Sequence, residues 1–238
     1  FCIHLKKTIQ RINYLISLVN NENNNVMKDE QNKAVIFDLD GTLLNTLKDI
    51  ADSANEVLDR YGLPPHPVDA YRYFVGDGVA TLMKRVMPAD STDDVIVESI
   101  ERFKSNYEQR WHNKTRPYPG IMDMLAYLQH SGVKMAILSN KPDNFTQKCV
   151  KLFFPKILFH VVSEKRTMFH QNQTLFLRYR SIDTLDVAPG RTLFVGDSSV
   201  DMKTGVAAGI SAIGVDWGFR TKTELKQAGA DRVVGSPE

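Results

Sequence analysis

At 238 residues with 42% hydrophobic composition, the chain can bury one full core and still form a second small domain, as a soluble globular enzyme would. Its 30 basic and 28 acidic residues give a formal net charge of +2 without a basic stripe interleaved with aromatics, which argues against a nucleic-acid partner. Cys2 and Cys149 are the only cysteines, so neither a disulfide framework nor a thiolate metal site is indicated, and a reducing cytoplasm is the expected setting.

Residues 1–33 differ in character from the rest. The apolar run beginning at Tyr14 is too short for a signal peptide, no small-residue cleavage site follows it, and residues 20–25 are rich in asparagine. The expectation is an extension outside the fold, disordered or artificial, with Met27 as the native start. Residues 34–37 form a continuous apolar run, as in a parallel strand covered on both faces. Residues 46–112 then read as helices without a strand partner. Ile50, Ala54, Val57, Leu58 and Tyr61 mark one amphipathic face, Gly62 and the prolines after it stop that helix, and further helical groups cover 71–86 and 95–111.

Pro117-Tyr-Pro-Gly120 punctuates a return to alternating elements. Strands are expected at 133–138, 158–162, 192–195, 211–215 and 231–234, with helices near 121–130, 144–153, 200–208 and 223–228. No internal repeat or membrane span is visible. The pattern predicts an α/β fold: a doubly wound, Rossmann-like parallel-sheet core from 34–45 and 113–238, with an inserted α-helical cap at 46–112. Its active site belongs at the carboxyl ends of the strands.

The chemistry concentrates at three strand ends. In Phe37-Asp38-Leu39-Asp40-Gly41-Thr42, two carboxylates and a hydroxyl converge where the first strand opens, and Gly41 permits a sharp turn. Asp38 can attack phosphorus while holding a metal, and Asp40 can protonate the departing oxygen. Taken alone, an Asp-x-Asp also fits an ordinary turn with Asp40 or Thr42 capping a helix. Ser139-Asn140-Lys141 follows the second strand, where a hydroxyl, an amide and a helix N-terminus can meet a phosphate oxygen, or where Ser139 or Asn140 simply caps a helix. Gly196-Asp197-Ser198-Ser199-Val200-Asp201 places carboxylates four apart at a helix start. Asp197 suits direct ligation of Mg²⁺ and Asp201 a supporting position, against the plainer reading of an acidic helix N-terminus.

Together these strings resemble the motifs of the haloacid dehalogenase-like phosphatases, over roughly residues 33–238. Tyr73-Phe-Val-Gly-Asp-Gly78, Arg116-Pro-Tyr-Pro-Gly120, Leu138-Ser-Asn-Lys-Pro142 and Val215-Asp-Trp-Gly-Phe-Arg220 narrow the resemblance to the phosphoglycolate phosphatase subfamily. It implies Asp38 as nucleophile, Asp40 as acid and base, and Mg²⁺ on Asp38, the Asp40 carbonyl and Asp197, supported by Asp201. It also implies phosphoryl binding by Thr42, Ser139 and Asn140, backbone amides of Gly76 and Gly78 over the substrate, and Lys141 in the phosphate-binding turn. The implied substrate is a small phosphorylated metabolite such as 2-phosphoglycolate, and a monomer and a homodimer both stay open. A sugar-phosphate phosphatase or a phosphomutase is the alternative of the same chemistry; a dehalogenase would not need Asp40.

One expected residue is missing. Such phosphatases carry a lysine between the second and third strand-end motifs, usually in Lys-Pro-Asp-Pro, and counting back from Leu185 puts Asn172 there. Codons compatible with residues 171–175, read one base earlier, encode Lys-Pro-Asp-Pro, so compensating frameshifts across 167–180 are the expected origin. If Asn172 is genuine, Lys141 or Lys165 is left to supply the charge, or the chain binds phosphate or metal without turnover.

Overall fold

The computed structural model describes residues 33–164 and 183–236. All of the expected N-terminal extension except Lys33, whose carbonyl accepts from the Lys134 amide at 2.9 Å, and the 167–180 segment with Asn172 and Lys165 beside it lie outside the described residues. β1 (Ala34–Phe37) is buried along its length and lies at the centre of a six-stranded parallel sheet. β2 (Leu44–Asn45) leaves the sheet, and α1 (Leu47–Arg60), α2 (Tyr71–Phe74), α3 (Val79–Val86) and α4 (Asp93–Arg110) follow. β3 (Arg116–Pro117) returns the chain to α5 (Ile121–His130), β4 (Lys134–Ser139), α6 (Asp143–Phe153) and β5 (Val161–Glu164). After the turn α7 (Asp183–Leu185) come β6 (Thr192–Gly196), α8 (Ser199–Ala208), β7 (Ser211–Val215), α9 (Lys222–Gln227) and β8 (Arg232–Val234).

The strand order is β5-β4-β1-β6-β7-β8, so the chain steps outward from β1 first on one side and then on the other. Register pairs Phe37 with Ile137 and with Val195, which brings the carboxyl ends of β1, β4 and β6 side by side. Such a switch point opens the crevice in which doubly wound sheets bind ligands. Helix α5 packs one face of the sheet through Ile121, Met124, Leu125 and Leu128, while Leu185, Ala208 and Ile210 cover the other.

The four helices between β2 and β3 form a helical cap with its own core. Leu47, Ile50, Ala54, Val57 and Leu58 of α1 meet Ile96, Phe103 and Tyr107 of α4, with Tyr71 and Met83 filling the third side. Phe145 and Phe219 of the sheet domain join this cluster, so cap and core share buried surface over the crevice. The neck is fixed twice: β2 and β3 pair antiparallel, and the buried Asp49 carboxylate accepts from the Lys114 and Thr115 amides and the Thr115 hydroxyl at 2.8–3.0 Å. Three donors satisfy a carboxylate that would be costly to bury alone.

Three elements differ from expectation. The helical group at 71–86 is broken into α2 and α3 because Gly76 and Gly78 take φ of +128° and +85°, open to glycine and strained for other residues. The expected strand at 158–162 lies later, at Val161–Glu164, because Phe154 and Phe159 pack edge to face at 5.9 Å and hold the preceding residues as a loop. The β2–β3 pair is too short to leave a pattern of alternation. Among the described residues, no helix is long and apolar enough to cross a membrane.

Candidate active site

The Asp38 amide donates to the Val195 carbonyl at 2.9 Å, extending the ladder one residue beyond β1 and fixing where the carboxylate emerges. The chain then folds back in a tight loop in which the Leu43 and Leu44 amides donate to the Leu39 carbonyl and the Gly41 amide to the Leu44 carbonyl. Gly41 has φ +91°, and a Cβ there would stand 2.2 Å from Asp197 Oδ2. The sequence signal at Gly41 thus reflects two demands, a left-handed turn and contact with a carboxylate from another strand.

Asp197 follows β6 directly and is buried. Its Oδ2 accepts from the Phe219 amide at 2.7 Å and its Oδ1 from the Thr42 hydroxyl at 3.4 Å. Asp201 occupies the third position of α8, where a capping box with Ser198 fixes it. Its Oδ2 accepts from the Ser198 amide at 3.0 Å and hydroxyl at 2.6 Å. Added Cβ atoms at Gly196 and Gly218 would come within 2.3 Å of Asp201 and Asp197 respectively, so backbone lies directly against both side chains.

Asp38, Asp197 and Asp201 are all buried and bring carboxylate oxygens within 4.8 Å of one another. Burial, and then the charge of Asp201, push the Asp197 carboxyl up to about 7, with the Phe219 amide and the Arg220 guanidinium offsetting part of the rise. Buried carboxylates this close are costly unless a cation joins them. An all-oxygen, acidic donor set backed by glycines fits a hard divalent ion, and these three residues could hold one.

Beside this cluster, Lys141 Nζ stands 3.0 and 3.1 Å from the two Asp40 oxygens and donates to the Tyr107 hydroxyl at 2.7 Å. Burial works against the ammonium, but Asp40 and then Tyr107 outweigh it, so the Lys141 pKa is raised. Tyr107 belongs to cap helix α4, and burial raises its phenol's pKa. The cation therefore joins the first strand end, the second strand end and the cap.

The turn of Gly76 and Gly78 roofs the cavity and is tied to the sheet domain at several points. Asn140 Nδ2 donates to the Gly76 carbonyl at 2.5 Å, Arg220 Nη2 to the Val75 carbonyl at 3.0 Å, and Arg72 Nη1 to the Gly218 carbonyl at 2.5 Å. Within the cap, Arg85 pairs with Asp77 at 2.7 Å and donates to the Phe74 carbonyl at 3.1 Å.

Asp38, Asp40, Gly76, Gly78, Ser139, Asn140, Lys141, Asp197 and Asp201 all line one cavity, as the strand-end reading expects. Thr42 does not: it lies beneath Asp197 as a hydrogen-bond donor. Asp201 stands in the carboxylate cluster itself. Sequence reasoning did not single out Tyr107, Phe219 or Arg220. Arg220 ends a run already notable for its resemblance, whereas Tyr107 is indistinguishable in sequence from the cap-core residues around it.

Residues 35–215 match the family profile of haloacid dehalogenase-like hydrolases. The chain belongs to that family. Among its relatives, a phosphoglycolate phosphatase of Pseudomonas putida is 30% identical over 192 residues, covering 79% of this chain and 70% of that protein. One of Haemophilus influenzae is 30% identical over 210 residues, covering 85% and 94%. The crystal structure of a Lactobacillus delbrueckii subsp. bulgaricus protein assigned as a phosphoglycolate phosphatase superposes with a TM-score of 0.80 at 27% identity, covering 87% of this chain and 96% of that one. These likenesses place this haloacid dehalogenase-like hydrolase in the phosphoglycolate phosphatase subfamily, as a phosphoric monoester hydrolase.

Proposed function

We propose that this hydrolase is a Mg²⁺-dependent phosphatase that converts 2-phosphoglycolate to glycolate and inorganic phosphate through an aspartyl-phosphate. The observation that carries the reading is the meeting of Asp38, Asp197 and Asp201 at adjoining strand ends, with Asp40 two residues from the nucleophile. Asp38 attacks phosphorus as the bond to the alkoxide oxygen breaks, and the Asp40 carboxyl gives that oxygen a proton. Asp40 then takes a proton from water, whose oxygen attacks phosphorus and frees the Asp38 carboxylate and phosphate. A Mg²⁺ ion held by Asp38, Asp197 and the Asp40 carbonyl, with Asp201 beside them, would neutralise charge on the phosphoryl oxygens.

Ser139 Oγ accepts from the Lys141 amide at 3.3 Å, which leaves the hydroxyl proton for a phosphoryl oxygen. Lys141 brings positive charge to the pair of acids, a role that the family gives to the lysine missing at Asn172. The cap turn at Gly76 and Gly78 closes over a small substrate and keeps bulk water from the acyl phosphate. The same reading makes the protein a cytoplasmic enzyme of small metabolites, with neither nucleic acid nor membrane as partner.

The test is phosphate release from 2-phosphoglycolate and a panel of sugar phosphates, with and without Mg²⁺, for the native chain and D38N. Mg²⁺-dependent turnover led by 2-phosphoglycolate and lost in D38N is expected. A sugar phosphate turned over faster would move the substrate assignment, and D38N turning over normally would remove the covalent route.

A further inference from the structure

Of the cations on the cavity wall, Lys141 is committed to Asp40 and Tyr107, and the half-exposed Lys104 is paired with Glu101 at 2.7 Å. Arg220 differs. Its side chain is only 9% exposed, Nε pairs with Glu224 Oε1 at 3.1 Å, Nη2 is spent on the Val75 carbonyl, and the guanidinium lies 5.3 Å from the centre of the Tyr73 ring. Nη1 is buried and has no hydrogen-bond partner among the described residues. An ionised donor held in that condition is expensive, and three restraints on the rest of the group prevent it from turning away.

The position of the guanidinium says what would satisfy it. The preceding residue, Phe219, has its amide fixed on Asp197, so Arg220 is rooted beside the carboxylate cluster where the phosphoryl group belongs. Its far end reaches the cap turn over the same cavity, within 3.8 Å of where a Gly76 Cβ would stand. Much of the wall between is apolar, including Val79, Leu82, Phe103 and Phe145. Arg220 and Asp38 line the same cavity, so a small ligand with its phosphoryl group at Asp38 and a second anionic group on its leaving group would have Arg220 on the wall beside it.

We propose that Arg220 is the specificity-determining residue that binds the leaving group's carboxylate, through the donor Nη1. The assignment rests on the phosphatase reading above and adds to it the residue that would select a leaving group carrying a carboxylate. Arginine is suited to the task because its planar fork stays charged and pairs well with carboxylates. A carboxylate there also bridges core to cap, since the same guanidinium holds the Val75 carbonyl.

The test compares 2-phosphoglycolate with ethyl phosphate, which carries a methyl group where the carboxylate stands. The ratio of their kcat/KM values is measured for the native chain, R220K and R220M. Independently of turnover, the ratio of their Kd values is measured by calorimetry in Mg²⁺ for D38N and for D38N/R220M. Both ratios are expected to fall roughly 10- to 100-fold in the R220M chains, the range of a charge-assisted hydrogen bond, with R220K intermediate. Loss shared equally by the two esters reports only the contact with the cap, and a ratio kept within about 3-fold would overturn the proposal, being less than such a bond supplies. A D38N chain that binds both ligands equally, or neither, would also overturn it. If 3-phosphoglycerate is preferred to 2-phosphoglycolate and its advantage falls in R220M, the substrate reading fails while Arg220 keeps its role. If 2-phosphoglycolate is preferred and the ratio survives R220M, the reverse holds.

Discussion

Lys141 and Asp40 form an ion pair in which the ammonium meets both carboxylate oxygens, with the lysine side chain 3% exposed and the aspartate 13%. Replacing Lys141 by Met is expected to lower kcat by about 100-fold, comparable to loss of one preorganised electrostatic stabiliser. Stability should fall by about 1–3 kcal/mol, less than for a fully enclosed pair because Asp40 keeps some solvent contact. Steady-state kinetics and urea unfolding of K141M report the two effects separately. Y107F removes only the acceptor on the cap side and should cost about 1 kcal/mol of stability. Native turnover by K141M would take the ammonium out of the chemistry.

Gly41 supports a second prediction. Alanine there must adopt φ +91° and push a Cβ into Asp197. The left-handed backbone alone costs about 1–2 kcal/mol, and a displacement of the carboxylate by about 1 Å is enough to lose on the order of 100-fold in rate. G41A is therefore expected to bind Mg²⁺ more weakly by calorimetry and to show a matching fall in kcat. Intact metal affinity in a folded G41A would mean that Asp197 can move without consequence.

What could be read in sequence, and what could not, follows from where the information is local. The apolar runs before Asp38, Ser139 and Asp197 announce buried parallel strands, and the acids after them fall at the carboxyl ends because the sheet is doubly wound. That fixes which motifs meet before any coordinate is known. Tyr107 and Arg220 make their contacts only because the cap lies over the crevice: one faces Lys141 from α4, the other clasps the Val75 carbonyl. Thr42 shows the opposite case: its hydroxyl follows Asp38 and Asp40 in sequence, but that it donates to Asp197 depends on a second strand that the local sequence does not contain.

Asn172 invites a restoration. Placing Lys-Pro-Asp-Pro at 172–175 should raise kcat, by on the order of 100-fold if the missing cation is otherwise uncompensated. Because Lys141 already supplies an ammonium to Asp40, the gain should be smaller in the native chain than in K141M. Single-turnover rates for the four combinations form the cycle. A restored chain no faster than the native one in either background would show that residue 172 does not serve the reaction, and the nucleotide sequence across 167–180 tests the frameshift origin directly.

The carboxylate cluster predicts a metal-linked pH dependence. Without metal, the Asp197 carboxyl is raised to about 7, chiefly by burial and then by Asp201, against an ordinary value of 3.8. A group raised on folding contributes stability that is complete below its unfolded pKa and disappears as pH climbs through the folded one. In EDTA, the contribution of Asp197 should therefore be present at pH 4 and largely gone at pH 8. D197N lacks this titration, so the difference between native and D197N stabilities isolates it from other groups. Saturating Mg²⁺ should reverse the trend, because the deprotonated cluster is the form that binds and mass action adds stability as pH rises. Urea unfolding at several pH values, with EDTA or with Mg²⁺, gives the four curves. A native-minus-D197N difference that is flat between pH 4 and 8 in EDTA would show that Asp197 is not held protonated by its neighbours. A Mg²⁺ effect that fails to grow with pH would show that the ion does not bind these carboxylates.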